Sequence, residues 1–286
     1  MGDGEQNPPR HDCSEDLETV DNLLTATSGS SHCLRFGLSR FQFRLILLLA
    51  PCYGIFTIYT MLPVFLIPRL SAWGMDKATI AAIGVAFFAG HLCGVIVGGL
   101  FADSFGRHKC LVLALLIASV AGPATFACNT PSALGAMRFL AGISAGAIIN
   151  SAIVIMMEFA PTEQRFRSKG FIAVTGWSLC LLVFILVAYL TRGLPWQWLG
   201  ICTLPALPLF LLALCVIPES PRYLHGYGDE AAALALLRGA AATNRAEPIG
   251  QVCHRALWTP RPYVAPWRPG RLARLDVPNR HAAFAC

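Results

Sequence analysis

Six apolar stretches, separated by short polar or proline-containing breaks, dominate the pattern of hydrophobic and polar positions along the chain. A bilayer core about 30 Å thick requires roughly 20 apolar residues of helix, and each stretch is close to that length. The pattern therefore predicts an all-α membrane protein in which six transmembrane helices form a bundle. The predicted spans are Leu45–Leu66, Thr79–Ala102, Leu111–Cys128, Pro131–Met157, Phe171–Leu190 and Trp196–Ile217.

The breaks between the spans contain residues that typically start or end a helix. Asp76 precedes the second span as a candidate N-cap. Asn129-Thr130-Pro131 precedes the fourth span, with proline in the first helical turn, where it is tolerated. The segment Arg192–Pro195 separates the fifth span from the sixth. Because very few residues join the third and fourth spans, we expect these two helices to form a hairpin.

The regions outside the spans differ from them in composition. Residues 1–40 are polar and acidic, without the apolar core of a signal peptide, and are predicted as a cytosolic segment. The bundle occupies residues 41–218, and a cytosolic segment at 219–245 follows it. Residues 246–286 show no helical or strand period and no further span. This tail is either disordered and basic, or it comes from a shifted frame, a splice variant or a mispredicted exon. Its Trp, His and Cys residues favour the second explanation.

The overall composition agrees with a membrane protein. The 286 residues are 55% hydrophobic and 13% charged, whereas soluble domains carry about 25% charged residues. These values exclude a purely soluble globule and a mainly disordered chain. The basic residues occur singly between apolar runs, so the net charge of +6 does not indicate nucleic-acid binding. The 11 cysteines include no C-x-x-C pair, and we expect neither a metal nor a cofactor.

The distribution of Lys and Arg beside the spans predicts the orientation. If the N-terminus is inside, nine of these residues lie on the inner side and four on the outer side. This is the excess that the positive-inside rule requires. We therefore expect a multi-pass protein of the plasma membrane or a vesicle membrane, with both termini in the cytosol and the lipid bilayer as a partner.

The loop after the second span carries a motif. From Gly99 to Lys109 it reads G-x-x-x-D-x-x-G-R-x-K, with Asp103, Gly106 and Arg107 at the defined positions. It resembles the signature loop between helices two and three of major facilitator transporters, which lies on the cytosolic side. The charge count places this loop on the same side independently.

Further segments, in the family's order and beside the corresponding spans, strengthen the resemblance. The segment Arg138–Gly142, with Gly146, resembles the R-F-L-x-G-x-x-x-G of the fourth helix, and Glu158–Arg167 resembles the inner loop after it. Pro218–Leu224 is close to the P-E-S-P-R-[WY]-L that follows helix six in sugar porters and organic-ion transporters. The opening at 36–42 is similar to synaptic-vesicle-like and organic-ion members. The resemblance covers about residues 36–240.

The resemblance implies the N-terminal half of a major facilitator fold, which has twelve helices in two halves and a substrate site between them at the midplane. The chain would then take part in moving a small organic solute, either an organic ion or a sugar-like molecule, by alternating access. A second six-helix half or a full-length relative would be its protein partner. The alternative is a truncated, non-transporting membrane protein that binds or regulates a full-length relative.

The resemblance also implies a set of cytosolic residues, which we call the latch, that would hold this side closed in one state. Asp103 can pair with a nearby Arg or with a helix N-terminus, and Gly106 permits an unusual φ angle. The latch consists of Asp103, Gly106, Arg107, Glu158, Arg165 and Arg167.

Glycines recur at every fourth position on the second and fourth predicted helices. Faces of small residues let helices approach closely in lipid, so we expect these glycines to have a packing role. Asn150 continues the face on the fourth helix, where its amide is expected to hydrogen-bond across the contact, with solute binding as the alternative. The packing set is Gly90, Gly94, Gly98, Gly142 and Gly146.

The candidates for contact with solute or for coupling lie inside the spans. His91 and Arg138 are the strong ionisable candidates there, and such groups in a membrane are functional hypotheses by default. No Asp or Glu lies well inside a span, so this half offers no carboxylate for proton coupling. For Arg138 the family pattern implies conformational coupling or anion attraction. Tyr59 and Trp177 lie on helices that line the cavity in the family.

An enzymatic alternative is rejected. Gly142–Gly146 also fits G-x-S-x-G, the nucleophile elbow of hydrolases, but that motif requires a strand–turn–helix setting and this segment lies in an apolar helix. An intramembrane serine protease would need a histidine on a later span, and residues 171–217 contain none.

Overall fold

The computed structural model describes residues 39–72, 74–160, 164–227 and 229–244, and within these ranges the chain is almost entirely helical, without a strand. The helices are α1 (Arg40–Ala72), α2 (Lys77–Phe105), α3 (Arg107–Ala127), α4 (Pro131–Glu158), α5 (Arg165–Val174), a π-helical turn (Thr175–Leu179), α6 (Cys180–Leu190), a 3-10 helix (Trp196–Thr203), α7 (Ala206–Val216), α8 (Pro221–Gly226) and α9 (Glu230–Asn244).

Six stretches of these helices are long and apolar enough to cross a membrane, which confirms the predicted six-span bundle. Spans 1 to 4 are formed by α1 to α4, of which α1 counts as spanning over Arg40–Pro68. Span 5 runs from α5 through the π turn to α6, and span 6 joins the 3-10 helix to α7. The predicted N-terminal segment, apart from its last two residues, and the predicted tail at 246–286 lie outside the described residues.

Side chains cap several helix starts, as a helix leaves its first N–H groups without internal partners. Asp76 accepts a hydrogen bond from Thr79 N at 3.2 Å, and Thr130 accepts one from Ala133 N at 3.3 Å. Both caps were predicted. At α1 the cap is more elaborate, because Ser39 and Gln42 bond each other's backbone N–H groups reciprocally. The amide oxygen of Asn244, at the end of α9, accepts a further bond from Phe41 N at 2.8 Å.

Spans 5 and 6 differ from the single regular helices that their apolar runs predict. In span 6 the first eight residues form a 3-10 helix, and the α-helix begins only at Ala206. Pro205 and Pro208 explain this break, since proline cannot donate the i to i−4 hydrogen bond. In span 5 the π turn lies where Gly176 approaches the backbone of α1 at Ala50, next to Tyr53. The wider turn accommodates this close crossing.

The buried core runs between α1, α3 and α4. The most apolar windows of α1 and α4 are 67% and 61% buried, whereas those of α2 and span 5 are 28% and 17% buried. The outward faces of α2 and span 5 consist of large apolar side chains such as Leu92, Val97, Leu182 and Leu186. In a water-soluble protein such faces would be unstable, so their environment is lipid or another apolar surface.

The glycines of α2 and α4 lie in one close helix contact. An added Cβ at Gly90 or Gly94 would collide with the carbonyl groups of Phe139 and Ile143 on α4. Gly142 and Gly146 face the backbone of α2 in the same way, and Gly98 faces Ala147. The structure therefore places all five predicted packing glycines at close contacts between these two helices, four of them against the opposite backbone and Gly98 against Ala147.

Candidate functional site

The turn between α2 and α3 is organised around Gly106. Its φ of +112° is a conformation that side chains with a Cβ rarely adopt. A Cβ at this position would also collide with the carboxylate of Glu219. Gly106 thus lets two long helices meet at a single residue and lets a segment from beyond span 6 approach that residue.

Arg107, the first residue of α3, joins two carboxylates of the latch. Its Nη2 lies 3.1 Å from Asp103 Oδ1, and its Nε lies 3.4 Å from Glu158 Oε1. The side chains of Arg107 and Glu158 are 18% and 12% exposed, whereas that of Asp103 is 72% exposed. The ion pair between α3 and the end of α4 is therefore the more shielded of the two.

Glu219 was not predicted as a site residue, although its segment was recognised as part of a family motif. Its Oε1 accepts hydrogen bonds of 3.0 Å from His108 N and Ser220 N. The carboxylate caps the start of α3, where Gly106 supplies no side-chain cap, and its charge suits a helix N-terminus. The sequence has no local capping residue before α3. This was its one indication that a distant residue would cap that helix.

Two tyrosines of the same segment complete this end of the bundle. The Tyr223 and Tyr227 hydroxyls both donate to the carbonyl of Ser104, and the Arg107 guanidinium lies 5.3 Å from the Tyr223 ring centroid. Burial, together with neighbouring Tyr227, raises the pKa of Tyr223 to about 12, so its hydroxyl remains a donor at neutral pH. His108 Nε2 donates to the carbonyl of Ala213 at 2.9 Å, which ties α3 to span 6.

The remaining latch residues lie at the start of span 5. Arg165 Nε donates to the carbonyl of Ala160, two residues beyond α4, at 3.3 Å. Arg167 lies two residues further along α5 and is exposed. The structure thus brings Asp103, Arg107 and Glu158 into one cluster with Gly106, and it places the other two arginines at the neighbouring α4–α5 connection.

An aromatic cluster lies within the spans, formed by side chains from spans 1, 2 and 5. The Phe56 ring centroid lies 5.3 Å from that of His91, 5.8 Å from Trp177 and 5.7 Å from Tyr53. Phe56 was not predicted as a site residue, but its ring contacts two residues that were, His91 and Trp177. His91 Nδ1 is buried and has no hydrogen-bond partner among the described residues.

Arg138 is buried beside this cluster, with 1% of its surface exposed. Its Nη2 donates to the carbonyl of Tyr59 at 2.8 Å, and its guanidinium carbon lies 4.5 Å from the Phe87 ring centroid. Its Nη1 has no hydrogen-bond partner in the described part of the chain. A charge in this setting is electrostatically costly unless something compensates it.

Two other candidates lie apart from the aromatic cluster. Tyr59 is fully buried, and its hydroxyl donates to the carbonyl of Ala118 on α3 at 2.6 Å, so its described contacts link spans 1 and 3. The Asn150 amide nitrogen lies 3.3 Å from the position that a Cβ added to Gly99 of α2 would occupy. Asn150 therefore lies at the same α2–α4 contact as the packing glycines. In this structure neither side chain makes a described contact with the aromatic cluster.

Comparison with known proteins identifies the class. Residues 49–252 match the sequence profile of the family described as "Sugar (and other) transporter". The chain is 28% identical over 280 residues to svop-1 of Caenorhabditis elegans, named as a transporter, covering 96% of this chain and 49% of that protein. It is 33% identical over 147 residues to solute carrier family 22 member 20 of Mus musculus, covering 51% of this chain and 26% of that protein.

Solved structures show the same fold. The xylose transporter XylE of Escherichia coli, in a partially occluded inward-open conformation, superposes with a TM-score of 0.64 at 19% identity, covering 76% of this chain and 57% of that one. The fold is therefore that of the N-terminal half of a major facilitator, as predicted.

The chain belongs to the sugar (and other) transporter family of the major facilitator superfamily, which is a family of transporters and not of enzymes. The chain spans half or less of the length of these two curated relatives.

Proposed function

We propose that the chain contributes the N-terminal half of a transporter that moves a small organic solute by alternating access. The observation that carries this proposal is the aromatic cluster of Phe56, His91 and Trp177, with Tyr53. Aromatic faces beside a polar atom without a hydrogen-bond partner are typical of sites for small organic molecules, which combine apolar walls with a few polar groups.

A two-state mechanism requires a contact that is made in one state and broken in the other. The latch supplies a candidate, because the Arg107–Glu158 pair connects α3 to the end of α4 on the predicted cytosolic side. A contact that shifts a two-state equilibrium by about 1.4 kcal/mol changes its ratio tenfold. Release of this pair would therefore favour opening at this end.

The apolar faces of α2 and span 5 support a partner half as the surface that completes the cavity. These two spans are the least buried of the six, yet they also contribute His91 and Trp177 to the cluster. A second six-helix unit that packed on them would enclose the cluster between two halves at the midplane. A lipid-facing role alone would not account for the inward aromatic contacts.

Uptake into vesicles that contain the purified chain together with the second six-helix half of a full-length relative tests the proposal. The panel is a labelled pentose, a labelled quaternary ammonium ion and a labelled aromatic carboxylate, each compared with protein-free vesicles. We expect uptake of at least one solute, and we expect Trp177→Ala to abolish it. Leu207→Ala, an exposed apolar residue of span 6 that lies outside the two faces proposed for the partner half, is the control and should leave uptake unchanged.

Two outcomes would contradict the proposal. Uptake that is unaffected by Trp177→Ala would remove the aromatic cluster as the solute site. Absence of uptake for all three solutes would favour a non-transporting membrane protein, and this alternative predicts co-purification with a full-length relative instead.

A further inference from the structure

A cavity of about 390 Å³ lies at the end of the bundle opposite the latch. The last turns of spans 1 and 5, the connection after span 5 and the first turn of span 6 line it. Its volume falls within the range of about 300–1,000 Å³ that is usual for small-molecule sites. None of the residues of the aromatic cluster lines it, so the cavity is a separate feature of the molecule.

The walls of the cavity are mainly apolar, with side chains from all three spans. They include Phe65, Leu66, Ile185, Ala188 and Leu199. Thr191 also lines the cavity, but its hydroxyl donates to the Val187 carbonyl at 2.8 Å. Arg192 is the one charged residue among the described residues of the lining. An occupant that matches this lining is therefore largely apolar and carries one group that an arginine binds.

The cavity opens to the outer surface of the bundle. Val64, Ile185 and Tyr189 line it and are also exposed large side chains. Apolar side chains exposed along a span lie in the hydrocarbon of the bilayer. None of the four leucine and valine residues named for the outward faces of α2 and span 5 lines the cavity. A lipid can therefore enter it sideways from the bilayer.

Arg192 lies where the lipid headgroups are expected. It follows the end of α6 at Leu190 by two residues, and its guanidinium carbon lies 4.5 Å from the Tyr189 ring centroid. Tyr and Trp are typical of the membrane interface, and Trp198 is exposed near the start of span 6. From Ile185 to Leu190 the helix rises about 8 Å, so the apolar walls extend from this level toward the hydrocarbon.

We propose that this cavity binds one phospholipid of the surrounding bilayer, with an acyl chain between spans 1, 5 and 6 and the phosphate on Arg192. A guanidinium presents five N–H donors, and its planar fork matches the paired oxygens of a phosphate. Stacking on Tyr189 holds the guanidinium at the mouth of the apolar walls. A neutral apolar molecule would fill the walls without using this charge. The inference does not depend on the proposed solute site.

Three probes separate the contribution of the acyl chains from that of the phosphate. Dioleoylphosphatidylcholine has both, dioleoylglycerol has the chains alone, and glycerophosphocholine has the phosphate alone. Native mass spectrometry of the full chain in detergent gives the dissociation constant of the first molecule bound. We expect the phospholipid to bind about fivefold more tightly than dioleoylglycerol, which is the upper end for an exposed charge pair. Glycerophosphocholine should show no measurable binding.

Variants assign the two contributions to the cavity. Arg192→Gln should bring the phospholipid to the affinity of dioleoylglycerol, whereas Lys77→Gln, an exposed basic residue at the same end, should leave the preference unchanged. Ala188→Trp fills the cavity and should weaken binding of both lipids. Ala82→Trp, at an exposed position of α2 outside the cavity, is its control. Should Ala188→Trp fail to fold, the Arg192 and Lys77 variants still decide the question.

Four results would overturn the proposal. Equal affinity of the wild-type chain for phospholipid and dioleoylglycerol would exclude a phosphate contact, and so would an unchanged preference in Arg192→Gln. Unchanged lipid binding in a folded Ala188→Trp variant would place the bound lipid elsewhere on the bundle. Binding of glycerophosphocholine as tight as that of the phospholipid would leave the apolar cavity without a role.

Discussion

Arg107 pairs with two carboxylates that differ in their access to solvent, and this difference ranks their energetic roles. An ion pair with an exposed partner such as Asp103 contributes about 0.2–1 kcal/mol, because water and salt screen it. The ion pair with the shielded partner Glu158 is screened less by water and salt, so breaking it costs more. Within the latch, Glu158 is therefore expected to matter more than Asp103, although Asp103 defines the sequence motif.

Glu158→Gln should lower the thermal stability of the purified protein more than Asp103→Asn. The reason is that Glu158→Gln removes the shielded carboxylate beside the Arg107 guanidinium and leaves the exposed Asp103 as its described ion-pair partner. Thermal unfolding in detergent, monitored by circular dichroism, gives the two Tm values. In the vesicle assay, solute uptake normalised to protein should likewise fall more in Glu158→Gln than in Asp103→Asn. Equal Tm shifts, or a larger shift in Asp103→Asn, would refute this ranking.

Residues differ in how far the sequence alone revealed their contacts. Asp76 and Thr130 cap helices a few residues away, so their roles follow from local pattern and were predicted. Asp103 and Arg107 lie four positions apart across the Gly106 turn, and pairing with a nearby Arg was one of the two predicted contacts of Asp103. The Glu219 contact with His108 crosses 111 positions, and no local pattern encodes such a distance.

Among the elements, α2 and α4 form the closest pair. Four of their five packing glycines face carbonyl or amide groups of the opposite backbone, which cannot rotate away as a side chain can. Lipid tails are as apolar as leucine, so close packing of this kind is a main source of helix association in a bilayer. The small-residue period was readable from the sequence. The π turn of span 5 was not, because its cause is the crossing with α1 and the apolar run continues through it.

Gly142→Ala should destabilise the bundle, because its Cβ would collide with the carbonyl of Phe87 and the amide of His91. Forced separation of packed elements costs about 1–3 kcal/mol. Gly135→Ala on the same helix is the matched control, because a Cβ there meets no atom within 4 Å. We expect Gly142→Ala to lower both Tm and the yield of monodisperse protein, and Gly135→Ala to change neither. A Tm for Gly142→Ala equal to the control would contradict the close contact.

For the whole molecule, the number of spans followed from the length of the apolar runs, since six apolar stretches of about 20 residues allow few other assignments of the spans. The predicted placement of both termini in the cytosol rests on the charge count. The meeting of spans 1, 2 and 5 at an aromatic cluster could not be read from periodicity, because each helix is apolar on several faces. Only the packing selects which face turns inward.

The orientation can be measured with two variants that each add one cysteine to the wild-type chain. Ser104 lies at the α2–α3 end and Ser132 lies in the first turn of α4 at the opposite end, and both are exposed. A membrane-impermeant thiol reagent added to intact cells should label Ser132→Cys and not Ser104→Cys, with the wild-type chain as the blank. Permeabilised cells should show labelling of both. Labelling of Ser104→Cys alone in intact cells would reverse the predicted topology.

The bond between Asn244 and Phe41 N has a consequence for the order of events during biosynthesis. Synthesis adds about 5–20 residues per second, so residue 244 emerges roughly 10–40 s after residue 41. Throughout this interval, span 1 begins with an amide that its native partner has not yet reached. Ser39 and Gln42 cap the turn locally in the meantime. The first helix to enter the membrane is thus among the last to be completed, and a nascent chain that stops before residue 244 lacks this closing contact.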